Sequence, residues 1–144
     1  MSEPTAKIPV ILSIHVEPNR RIFDAPEPWT GYEGTWDFFR SVRPRLACAT
    51  GVSAHYVWVF RMDQQIADVF GSPDWVAAHY PDQIRGSKSE GDELGLHTHA
   101  WRRDPKSGRW IADYGDQEWV DHCVRLSFET FQKAFGQPCR TFQS

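Results

Sequence analysis

Three short apolar runs constrain this chain most: Ile8–Val16, Tyr56–Phe60 and Glu93–His97. The first two are nearly continuous and rich in β-branched or aromatic residues, the pattern of strands buried on both faces. The third closes on Gly91-Asp92-Glu93-Leu94-Gly95-Leu96-His97-Thr98-His99-Ala100-Trp101. Read as extended chain, it sends Leu94, Leu96 and Thr98 one way and Glu93, Gly95, His97 and His99 the other. A helix would set the two imidazoles about 200° apart, so a shared ligand requires a strand.

Helical segments separate these runs. Thr35 is positioned to cap a helix bearing Trp36, Phe39, Val42 and Leu46, limited or kinked by Pro44. Asp63 caps Gln64–Phe70, which Gly71 closes, and Ser72-Pro73-Asp74 opens another helix that Pro81 interrupts. Ile84–Gly91 reads as a polar lead-in and Arg102–Asp116 as a polar loop. Asp116 then precedes a long helix, Gln117–Phe135, with a stripe of Val120, Val124, Phe128, Phe131 and Phe135 and a stop at Gly136. A fourth strand begins at Cys139–Phe142. The order β-(αα)-β-(αα)-β-α-β predicts the α/β class, with about four parallel strands and right-handed crossover helices in one domain, as a sheet or a barrel. Chemistry in such folds collects at the carboxyl ends of the strands.

Two candidate half-sites fall there. Ile11, Ser13, His15 and Glu17 share one face of the first run, which Pro18-Asn19 ends. Glu17, His97 and His99 make a two-histidine, one-carboxylate set, delivered by what the sequence suggests are neighbouring strands. Such a set suits a divalent metal, zinc first, with manganese, iron, cobalt or nickel as alternatives. His15 on the same face can serve as a further ligand or as a catalytic base. Asp92 and Glu93 are candidates to orient an imidazole.

The net charge of −3 leaves no excess of Lys and Arg for phosphates, which argues against nucleic acid as a partner. No apolar run reaches the ~18 residues of a membrane span, and Met1–Pro9 has no signal layout, so the expected location is cytoplasmic. Cys48, Cys123 and Cys139 form no Cys-x-x-Cys pair and read as reduced, buried thiols. Seven tryptophans are mostly core material, while Trp29, Trp101 and Trp110 are candidates to line a sugar cleft.

Leu12-Ser13-Ile14-His15-Val16-Glu17-Pro18 and Gly91–Trp101 together resemble the first two motifs of the polysaccharide deacetylase (NodB-homology, carbohydrate esterase family 4) superfamily. They are most similar to its divergent branch with Asp-x-Glu and His-x-His-x-Trp, and Val57–Ile66 resembles the segment between. The resemblance implies part of a distorted (β/α) barrel that removes acetyl groups from an acetylated carbohydrate with a bound metal. His97 takes the place of a metal histidine and Glu17 of the metal carboxylate, with His99 as the further histidine. The common form of the second motif spaces its histidines four apart, and Trp101 fills that position here. His15 stands where the family usually has an aspartate base. Thr141-Phe142-Gln143-Ser144 resembles the approach to the third motif, with Gln143 where an arginine is usual. The family's barrels are longer than this chain, which implies a truncated frame, half of a split protein or a stand-alone relic. The alternatives to an active enzyme are a non-catalytic subunit whose open sheet edge pairs with a second chain, and a sugar-binding remnant using Trp29, Trp101 and Trp110.

Overall fold

A computed structural model describes residues 10–144; the tail 1–7 and the first two residues expected in the opening strand, Ile8 and Pro9, lie outside them. Four strands form a parallel sheet in the order β1-β2-β3-β6: β1 (Ser13–Val16), β2 (Val57–Arg61), β3 (Glu93–His97) and β6 (Phe142–Gln143). Helix α1 (Thr30–Thr50) links β1 to β2, and α2 (Gln64–Phe70), α3 (Trp75–His79) and α4 (Pro81–Ser89) link β2 to β3. A hairpin, β4 (Trp101–Arg103) with β5 (Trp110–Ala112), and helix α5 (Gln117–Phe135) precede β6. Among the described residues the sheet is open, with β1 and β6 at its edges. No helix there is long and apolar enough to cross a membrane.

The register sets the strand ends level. His15 lies opposite Val59, which lies opposite Gly95, while Arg61 pairs with His97 and His97 with Gln143. Val16, Trp58, Phe60, Leu94 and Leu96 enter one aromatic-rich core with Tyr32, Ile66, Val76, Phe131 and Phe135. Among the described residues only β2 and β3 are buried on both faces. β1 is an edge strand that exposes Ser13 and His15, and Val10 to Leu12 precede it as exposed chain rather than continuing it. Gly95 owes its identity to close packing against β6. A Cβ there would sit 2.8 Å from Val59 Cγ1 and 2.9 Å from the Thr141 carbonyl oxygen.

Several boundaries depart from local expectation for identifiable reasons. Helix α1 starts five residues before Thr35 because Asn19, from the loop after β1, caps it at long range by accepting from Gly31 N at 2.8 Å. The helix then runs through Pro44 to a left-handed Gly51. Pro81 opens α4 rather than interrupting a helix, since its missing N–H would be unpaired at a first position in any case. The expected loop 102–116 contains the β4–β5 hairpin, whose turn Asp104 ties by accepting from Lys106 N and Ser107 N. Along α5 the buried face runs through Cys123, Ser127, Thr130, Phe131 and Phe135, and Phe128 is left partly exposed against Phe142. All three cysteines are free thiols, and Cys48 is exposed rather than buried. The Asp63 cap and the Asp116 cap, by contrast, form as their sequence spacing predicts, each accepting the amide three residues on at 3.1 Å.

Candidate metal centre

The carboxyl ends of β1 and β3 bring four side chains together. The strands are not neighbours: β2 runs between them, so the backbones are separated by roughly two strand spacings, ~9.6 Å. His15 and His97 cross that gap and meet with ring centroids 4.3 Å apart, and His97 and His99 meet at 4.4 Å. Glu17, just past β1, sits at the centre. Its Oε2 is 3.7 Å from Nε2 of His97 and 3.7 Å from Nε2 of His99, and its Oε1 is 3.8 Å from Nδ1 of His15. Donor atoms of His15, Glu17 and His97 all lie within 4.8 Å of one another. His99 is not one of these three, so the compact set is His15, Glu17 and His97, with His99 meeting it through Glu17.

Two further contacts fix which nitrogens face inward, and both come from Gln143 on β6. His97 Nδ1 donates to the Gln143 carbonyl at 3.2 Å, so a neutral ring keeps its lone pair on Nε2. That Nε2 is buried and has no hydrogen-bond partner among the described residues. His15 Nε2 donates to Gln143 Oε1 at 2.6 Å, which leaves Nδ1 bare toward Glu17. Outer partners that set the tautomers of inward-facing imidazoles are the usual support of metal ligands.

Beneath the cluster lies a buried charge group of which the sequence discloses only the Asp63 cap. Arg61 ends β2, is fully buried, and places NH1 3.5 Å from Glu17 Oε2. Its Nε donates to Asp63 Oδ2 at 2.7 Å and its other nitrogen to Gln65 Oε1. Asp63 Oδ2 also accepts from His99 N at 3.2 Å, so one buried carboxylate caps α2, neutralises Arg61 and anchors the His99 backbone. The signal was present as Arg61 and Asp63 flanking Met62 at the end of an apolar strand, where an unpaired charge is costly. Burial alone raises the Glu17 carboxyl, but His97 and His99 in their charged, donating form, with Arg61, outweigh it and hold the group well below its usual range.

The remaining candidates separate. Trp101 starts β4 and is 7% exposed, with the Arg21 guanidinium over its ring at 5.4 Å. Trp29 cannot line a sugar cleft: it is fully buried against Phe70, Trp75 and Tyr80. Trp110 is also buried, its Nε1 donating to Asp24 at 3.1 Å. Asp92 orients no imidazole, since it accepts from Arg43, Tyr56 N and Trp58 Nε1. Glu93 instead accepts from the Thr141 hydroxyl at 2.5 Å.

No family model, curated protein or solved structure matches this chain. Its chemistry rests on the geometry above.

Proposed function

We propose that Glu17, His97 and His99, with His15 beside them, hold a divalent metal and that the site hydrolyses an acetamide on a carbohydrate, as part of a (β/α) barrel-type hydrolase domain. The observation that carries the reading is the spacing of the donors around one carboxylate oxygen. Ligands ~2.1 Å from an ion at tetrahedral angles lie about 3.4 Å apart, which is within a few tenths of an ångström of the 3.7 Å separations. At the same time 3.7 Å is too long for hydrogen bonds, so the imidazoles are not already satisfied by the carboxylate. The buried, partnerless Nε2 of His97 also fits a ligand atom.

When bound, a divalent ion supplies Lewis acidity and lowers the pKa of a water toward ~7. The chain's own part is to orient and to move protons. Gln143 holds His97 and His15 in complementary tautomers, and Arg61, itself paired with Asp63, places its positive charge 3.5 Å from Glu17. His15, the most exposed of the three histidines, is placed to accept a proton from an attacking water. The surrounding pocket, about 380 Å³ and lined by His15, Glu17, His97 and His99, accommodates a single sugar unit.

The test is metal analysis of the purified chain together with acetate release from N-acetylated sugars. One equivalent of zinc or cobalt is expected, lost in His97→Ala and in Glu17→Gln. Unchanged metal content in His97→Ala would remove this centre, and the hydrolase reading with it.

A further inference from the structure

We infer that the substrate of this site carries an anionic group, a carboxylate near the acetamide, and that Arg21 receives it at the pocket mouth. The inference rests on the hydrolase reading and adds the substrate class. Arg21 lines the same pocket as His15, Glu17, His97 and His99. Asn19 and Glu17 on that wall are engaged within the chain. Asn19 accepts from Gly31 N at 2.8 Å and donates to Thr30 Oγ1 at 2.6 Å. Glu17 faces Arg61 and the imidazoles.

The arginines around Arg21 are paired: Arg20 with Glu27 at 2.6 Å, Arg103 with Asp24 at 2.7 Å, and Arg102 with Asp113 and Asp116. Arg21 has no carboxylate partner among the described residues, and its guanidinium lies over the buried ring of Trp101. That cation–π contact uses the ring face and leaves the guanidinium N–H groups free, the fork that matches a carboxylate. The charges point the same way: Arg61 is paired with Glu17 and Asp63, which leaves Arg21 as the lining cation with no carboxylate partner among the described residues.

The experiment is calorimetric titration of the zinc-loaded full chain with N-acetylglucosamine, with the same sugar oxidised to a carboxylate at C6, and with its 3-O-carboxyethyl ether. At least one anionic sugar should bind about tenfold more tightly than the neutral one, an advantage reduced by added salt. Arg21→Gln should abolish the advantage, and Arg21→Lys should restore part of it. Arg21 is exposed, so an unchanged thermal midpoint confirms that the variants fold. If the neutral sugar binds and no anionic sugar does better, or if the preference survives Arg21→Gln, the inference is overturned while the hydrolase reading stands. If no sugar binds the zinc-loaded protein, both are overturned.

Discussion

Gly95→Ala tests whether β6 braces the histidine–glutamate cluster. The added methyl would start 2.8 Å from Val59 Cγ1 and 2.9 Å from the Thr141 carbonyl oxygen, against the 3.4–4 Å of ordinary contact. Relief requires a movement of roughly half an ångström. Val59 is fully buried and cannot swing clear, so the β6 segment must give. Overpacking of this sort costs about 1–3 kcal/mol. The Leu96 N to Thr141 O bond of 2.8 Å and the Thr98 N to Gln143 O bond of 3.2 Å are strained by the same shift, adding about 1 kcal/mol. A loss of about 2–4 kcal/mol in urea unfolding of the metal-free protein is therefore expected. The same displacement carries Gln143 away from His97 and His15, and losing such outer partners weakens metal affinity about 10–100-fold. Cobalt titration followed by visible absorption reads this second effect. Gly34→Ala is the control: the site is helical and no heavy atom lies within 4 Å of its Cβ position, so it should be neutral or stabilise by up to about 1 kcal/mol. A Gly95→Ala protein with unaltered urea midpoint and cobalt affinity would refute the bracing role of β6.

Asp63→Ala should be among the most destabilising single changes, by about 3–5 kcal/mol in chemical denaturation, because it leaves the fully buried Arg61 without its closest carboxylate. Asp63→Asn keeps the cap acceptor for Ile66 N and should cost clearly less. In the metal-free protein the depressed Glu17 carboxyl stabilises the fold above its ordinary value of 4.5, and that contribution is lost as pH falls below that value toward the depressed folded one. Glu17→Gln should accordingly flatten the dependence of the urea midpoint on pH between about 5 and 3, and an unchanged slope would contradict the electrostatic reading.

The parts of the fold that the sequence discloses are those decided within a few residues. β3 and the helices α2 and α5 sit at their expected boundaries because Asp63, Asp116, Gly71 and Gly136 act through local backbone bonds. The candidate ligands were legible for the same reason: alternation along a strand puts His97 and His99 on one side whatever the rest of the chain does. Helix α1 starts at Thr30, six residues before the start that a Thr35 cap implies, because Asn19, which caps it, is remote in sequence. Trp29 gave a cleft reading from composition that only packing could correct.

Residue order alone therefore determined a parallel α/β sheet and the identity of the histidines and carboxylate at its carboxyl edge. Tertiary structure decided that these groups meet across β2, which ring nitrogens face inward, and that Arg61 and Asp63 lie beneath them. The division has a physical cause. Periodicity and capping are short-range and leave a pattern in neighbouring residues, whereas strand order and the partners of buried charges arise from contacts between segments tens of residues apart, as between His15 and Gln143.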